Sequence, residues 1–508
     1  MKTTKLRGTA IAALLAAALL AAALLDAAGS AGAQTLRVGL QSDIDTLDPV
    51  QSNNIAARSV FTALCDRLID VDERLELRPQ LATQWSWSAD RRSLTMTLRD
   101  GVVFHDGTPF DAEAVKANLD RALTLPGSRR RSEISAISAV VPEDRLRVRI
   151  ELSAPFAPLL AQFTDRAGMM MSPRAFASAA TAPVCSGPFA FAERVAQDRI
   201  VVRRFDRYWD RESVKLDGVV FRPVPDTTVR LLNLRAGSLD LAERVAASDV
   251  AAIRAERGLR LVELTGLGFT SIIVNVGNGE RARTPLGQDP RLREAFDLAI
   301  DRETLNRVAF EGANRAGNQP VPPDSPYYSK AFALRGADIA RSKALLAAAG
   351  QPALAVRLLV PNTTEFRAMA EILQAMVAEA GIRLEIEMAE LATAAAMMNK
   401  GEFQAFLIGW SGRLDPDGNI YGFNHCKGAN NDSRFCDPRV DAALDRARAS
   451  LAEEERRAAY DEAAAIHLPA RHRLYLVHEN WRFAHGARLR GFRAVADGVI
   501  RFQGLALE

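Results

Sequence analysis

The second half of the chain alternates apolar strands with helices, and this rhythm restricts the possible folds more than any other feature. Val356 to Val360, Leu384 to Met388 and Phe403 to Ile408 are strand-forming runs separated by helical segments. Strands joined through helices are spaced for parallel pairing, and a parallel sheet needs helices over both faces, so this half reads as an α/β layer. Asp289-Pro290 and Asp437-Pro438 each set a capping acid before a proline at the first helical position. A helix that opens at Asp338 is closed by Gly350, with Pro352 beyond.

The half before Val276 is built differently. Leu36, Val38 and Leu40 share one face of a strand, and a helix runs from about Ile55 to Ile69. Strand-like runs at 84–88 and 93–98 precede the turn Asp106-Gly107 and a helix capped by Asp111. Ile137–Val141 and Leu146–Ile150 flank a turn at Pro142–Asp144, which predicts a hairpin. Ser186-Gly187-Pro188-Phe189 breaks the chain sharply before strands within 189–205. A helix at 227–237, a short strand at 239–241 and long strands at 259–264 and 270–276 follow.

The amino terminus sets the compartment. Lys2, Lys5 and Arg7 precede an uncharged Ala/Leu run from Thr9 to Leu25, and Ala31-Gly32-Ala33 offers small residues for a signal peptidase. This is the pattern of a secretory signal peptide cleaved near Ala33, with a soluble periplasmic product. Removing 33 of the 508 residues leaves 475, enough for roughly three domains. The leader holds three basic residues and Asp26, so the net charge of +3 falls to +1. Such a balance gives no field to recruit nucleic acid or an acidic membrane. Of the four cysteines, Cys426 and Cys436 flank a short polar loop and suit a local disulfide in an oxidising compartment. Cys65 lies on an apolar helical face, where a buried free thiol is a reasonable reading and pairing with Cys185 a weaker one.

Chemistry concentrates in Gly409-Trp410-Ser411-Gly412-Arg413-Leu414-Asp415-Pro416-Asp417. An aromatic plate, a guanidinium and two carboxylates on a punctuated loop after a strand are the makings of a ligand pocket. The same residues also fit a surface turn in which Arg413 pairs with Asp415. No G-x-S-x-G, H-E-x-x-H or S-x-x-K set occurs, so no enzyme is expected. The histidines show no ligand spacing, and neither metal nor cofactor is expected.

Several stretches together resemble the extracytoplasmic solute-binding proteins of ABC importers, in the peptide- and nickel-binding group. They are Leu47-Asp48-Pro49; Leu81-Ala82 with Trp85; Leu98-Arg99-Asp100-Gly101-Val102 into Phe104-His105-Asp106-Gly107-Thr108-Pro109-Phe110; Ser186-Gly187-Pro188-Phe189; 234–241; 293–301; 340–350; Gly409-Trp410 with Asp415-Pro416; and 437–446. The resemblance implies an α/β fold of the type II periplasmic binding protein kind. Lobe one would be 35–68, 186–275 and 482–508, with an inserted domain at 69–185, and lobe two would be 276–481. It also implies a monomer that closes on a peptide or peptide-like small solute between the lobes and delivers it to permease subunits in the inner membrane. A non-peptide solute (an opine, a glutathione-like conjugate, a sugar acid or a metal chelate) and a sensor or chaperone module are the alternatives. Dipeptide-binding relatives carry an Asp three residues after the Trp, for the peptide ammonium. Arg413 stands there instead and favours an acidic group. Their carboxylate-binding Arg has no counterpart near Pro361-Asn362-Thr363-Thr364. The ligand-binding set expected on these grounds is Trp410, Arg413, Asp415, Asp417, Asn419, Tyr421, Gln51, Ser52, Asn53, Ser186 and Gly187.

Overall fold

The computed structural model describes residues 34–508; the expected signal peptide, residues 1–33, lies outside the described residues. Two sheets organise the chain. The first runs in the spatial order Leu259–Thr265, Asn480–Gly486, Leu241–Ala242, Thr35–Leu40, Gly218–Pro223, Arg199–Arg204, Phe189–Val195. The second runs Arg315–Ala316, Arg473–His478, Phe269–Val274, Ala405–Trp410, Ala355–Pro361, Arg383–Ala389. The predicted parallel pairing holds for Ala355–Pro361 with both of its neighbours, while Phe269–Val274 joins antiparallel and makes the sheet mixed. The capping acids work as predicted: Asp111, Asp289, Asp338 and Asp437 each accept a backbone amide of the helix they open, at 2.9 Å.

The chain passes between the sheets twice, side by side. Leu259–Thr265 leads through Gly266-Leu267-Gly268 into Phe269–Val274, and Arg473–His478 leads through Glu479 into Asn480–Gly486. Gly266 N donates to Glu479 O at 2.8 Å, and a ring nitrogen of His478 meets Gly268 O at 2.7 Å, so the two crossings form a paired hinge. The crossings fall earlier than the expected edges at 275 and 481. Phe269–Val274 is wholly buried in the second sheet, and Asn480 already pairs in the first. A long apolar run looks the same on either side of a hinge, because only its distant partners differ.

A four-stranded antiparallel sheet, Ala82–Trp87, Ser93–Leu98, Arg147–Leu152, Ile137–Asp144, lies within residues 69–185. Helix Ala112–Thr124 packs against it over a core that includes Phe104, Phe110 and Phe163. Cys65 and Cys185, at the two ends of this segment, are joined in a disulfide, as are Cys426 and Cys436. The free-thiol reading of Cys65 is therefore corrected: burial on a helix face does not distinguish a thiol from a bridge, and the missing fact was that the insert returns to its own root. His105 belongs to that root, with one ring nitrogen 3.1 Å from Gly187 O and its ring against Phe205. Among the described residues no helix is long and apolar enough to cross a membrane.

Candidate functional site

Strand Ala405–Trp410 runs two residues beyond the predicted Ile408, so Trp410 ends the strand, opposite Phe269. The turn that follows is pressed against the hinge. A Cβ on Gly268 would fall 1.9 Å from the Trp410 carbonyl oxygen, and one on Gly412, at φ +82°, 2.3 Å from Leu267 C. Only two glycines let these backbones meet so closely. On its other side the turn is held by Asn419, whose Oδ1 accepts Trp410 Nε1 at 3.0 Å and Arg413 N at 2.8 Å, while its Nδ2 donates to Arg413 O at 3.0 Å. Asn419 sits on helix Asp417–Asn424, where the sequence suggests only more loop.

This scaffold aims Arg413 across the cleft. Its guanidinium lies over the Trp410 ring, 4.5 Å from the centroid, and Phe423 packs edge-on against the same ring. Trp410 therefore supports Arg413 rather than walling the cavity. The narrow cavity between the lobes is lined by Arg413 with Gly412, Leu414 and Asp415, by Leu267 of the hinge, and by Arg58, Gln162 and Asp165 opposite.

Four guanidiniums and two carboxylates cluster around this cavity, with Arg58, Asp165 and Arg413 on its wall and Arg130, Glu133 and Arg166 behind them. Arg58 grips Asp165 through Nε at 3.2 Å and Nη2 at 3.1 Å, and Arg130 Nη1 donates to Glu133 Oε1 at 2.6 Å. Arg413 Nη2 reaches that same Glu133 oxygen only at 3.5 Å, and Arg166 Nε stands 3.7 Å from Asp165 Oδ1. Arg130 and Arg166 each also donate to Ser52 O, at 3.2 and 3.1 Å, which leaves the buried Nε of both without an acceptor. Burial pulls the Arg413 guanidinium below its ordinary value against the opposing pull of Glu133 and Asp165. Burial and Arg130 do the same to Arg166. Burial would push the Asp165 carboxyl up, but Arg58, Arg166, Arg413 and Arg130 together hold it below the usual carboxylate range.

The remaining candidates lie as follows. Asp415 borders the cavity, but both its oxygens are held by Arg456, at 2.6 and 2.8 Å. Asp417 is held in the same way by Arg448, at 2.7 and 2.9 Å. Neither pairs with Arg413, which sets aside the surface-turn reading. Tyr421 stacks under Arg448 and donates to Asp445 at 3.2 Å, away from the cavity. Ser52 contributes its carbonyl to the arginines, its hydroxyl donates to Asp45, and Asn53 N donates to the same carboxylate. Gln51 N donates to Asp48 O in a turn. Ser186 is buried with its hydroxyl on Met170 O at 3.3 Å, and Gly187 packs on the Leu64 backbone, which a Cβ would approach to 2.6 Å. The side-chain polar groups of Asp415, Asp417, Tyr421 and Ser186 are thus engaged within the protein in this geometry. Arg58, Arg130, Glu133, Asp165 and Arg166 carry no sequence motif, and only the fold assembles them.

Two α/β lobes on a paired hinge, with a charged cavity at their seam, define a hinge-closing binding protein of the type II periplasmic class. Residues 76–431 match the model of bacterial extracellular solute-binding proteins, family 5, and the chain belongs to that family. Its members are periplasmic substrate-binding subunits of ABC importers, with a small-molecule or peptide ligand and a membrane permease as partners. The chain is 28% identical to the glutathione-binding protein GsiB of Salmonella paratyphi A over 94% of its own length and 95% of that protein's. Among solved structures it is similar to AgaA of A. tumefaciens R10, in complex with agropinic acid, at TM-score 0.82 and 27% identity over 93% of this chain and 99% of the other. It also shares its fold with a dipeptide-binding protein from Pseudoalteromonas sp. SM9913 in complex with Met-Leu, at TM-score 0.84 and 22% identity, with 94% and 100% covered. These relatives are binding proteins, not enzymes.

Proposed function

We propose that the protein captures an acidic, peptide-like or opine-like solute between its lobes and presents it to an ABC permease. The observation that carries this reading is Arg413. It is largely buried at the seam, lies over the Trp410 ring, and among the described residues has no carboxylate closer than 3.5 Å. An anchor of that kind suits a carboxylate rather than an ammonium. The similarity to a glutathione-binding protein and to a protein solved with agropinic acid supports the same class. The neighbourhood of Gly412, Arg413, Leu414 and Leu267 contacts the solute, with Asn53 at its rim and Asn419 fixing the turn. The protein is exported, cleaved near Ala33, and acts as a monomer without catalysis.

The test is mass spectrometry of what co-purifies in the cleft, followed by thermal-shift titration. A ligand at a hundredfold its dissociation constant adds about 2.7 kcal/mol of stability. An empty cleft together with no shift from peptides, glutathione or opines would refute the reading.

A further inference from the structure

Charges at the seam do not balance, and the imbalance is distributed across the hinge. Of the six groups, Arg58 with Asp165 and Arg130 with Glu133 form close pairs, each within 3.2 Å. Arg413, from the second lobe, and Arg166, from the insert, remain without a carboxylate of their own. Asp415 and Asp497, which also border the cavity, are occupied by Arg456 and by Arg501. Asp45, near Ser52, is exposed and bonded to Ser52 and Asn53. Two surplus cations are thus brought together from opposite sides of the cleft in a place water hardly reaches, where like charges repel most strongly. Burial, Arg130 and Arg413 all draw the Arg166 guanidinium below its ordinary value, and its buried Nε has no acceptor among the described residues. Closing the cleft over these two cations without a counter-anion is therefore unfavourable.

We propose that the cleft is built for a solute with two acidic groups, one matched to Arg413 and one to Arg166, and that the solute's charge is what permits the lobes to close. This rests on the reading of the cleft as the solute site. It adds the number of acidic groups, a second anchor on the insert, and a reason for closure to follow binding, since a ligand shifts an equilibrium only by its differential affinity for the two states. Glutathione and opine-type diacids share the required chemistry, and the experiment separates them.

The mature full-length protein is titrated calorimetrically with glutathione, with an N-carboxyalkyl amino acid, with the mono- and diamides of both, and with Ala-Leu; X-ray scattering follows closure. The diacid of one series binds and contracts the particle. Its monoamide binds roughly ten- to a hundredfold more weakly, the worth of one charge-assisted contact, and its diamide leaves the particle open. Arg166→Gln weakens the diacid similarly and, without ligand, is more closed than wild type. Ala-Leu or a diamide that contracts the protein as well as the diacid overturns this proposal while leaving solute capture intact. So does an unliganded Arg166→Gln no more closed than wild type. If no probe binds and nothing co-purifies, solute capture itself fails and this proposal with it.

Discussion

Gly268→Ala tests the contact between hinge and ligand turn. The added methyl would lie 1.9 Å from the Trp410 carbonyl oxygen, 2.7 Å from Ser411 C and 3.0 Å from Gly412 N. All three are backbone atoms, so no rotamer change relieves the clash. Moving the first contact from 1.9 to 3.0 Å requires hinge and turn to part by about 1.1 Å. The turn cannot retreat freely, because Asn419 holds Trp410 and Arg413 through three hydrogen bonds and Trp410 is paired with Phe269. If Arg413 anchors the solute as proposed, a displacement of that size takes its guanidinium out of hydrogen-bonding register with it. The loss is then one charge-assisted interaction, about 1.5–3 kcal/mol, or roughly a ten- to hundredfold rise in Kd. Calorimetric titration with the co-purified solute reads this, with Gly336→Ala as the control, since a methyl there meets nothing within 4 Å. Affinity within twofold of wild type in Gly268→Ala, at unchanged melting temperature, would show that hinge and turn are not coupled as described.

Three further outcomes follow from particular residues. Asp415→Asn strands the Arg456 guanidinium, whose side chain is 9% exposed, and should cost about 3–5 kcal/mol in thermal unfolding with a smaller effect on solute affinity than Arg413→Met; a large affinity loss at unchanged stability would return Asp415 to the ligand. Replacing Cys65 and Cys185 by Ala releases a cross-link spanning 120 residues, a loop-closure contribution of about 5 kcal/mol, and limited proteolysis should then cut within 69–185; equal protection in the variant would contradict this. Burial raises the Asp66 carboxyl to about 7 despite donors on Trp209 and Tyr208, so between pH 4 and 7 the folded chain holds a proton that the unfolded chain has lost. Stability from this group is therefore greatest below pH 4 and falls as pH rises to 7, and melting curves of Asp66→Asn should lack that slope; an identical slope would assign it to another group.

What the sequence discloses of this fold is mostly local. The caps at Asp111, Asp289, Asp338 and Asp437 are settled by a side chain and an amide two or three residues away, so spacing alone reveals them. Helix Asp417–Asn424 is the opposite case. Its sequence holds two glycines and two asparagines, poor helix formers, and it forms because Ile420 and Phe423 are buried in different clusters on either side. Propensity had nothing to report there, and tertiary burial decided.

The site divides along the same line, and the division bears on function. Arg413 is conspicuous in the sequence because it stands where a ligand-binding acid is expected, and its nearest acids, Asp415 and Asp417, invite pairing on the same loop. The fold denies that pairing by bringing Arg456 and Arg448 from the two long helices behind the loop, each of which takes one carboxylate with both of its oxygens. Had either acid been left free, Arg413 would be neutralised within its own lobe and would carry nothing across the cleft. Because both are consumed from behind, the guanidinium's only carboxylate contact among the described residues comes from Glu133, 280 residues earlier, and is long. On the proposed reading, the charge offered to a solute is thus set by two ion pairs behind the loop, which is why a reading confined to the loop leaves open a pairing of Arg413 with Asp415 that the fold denies.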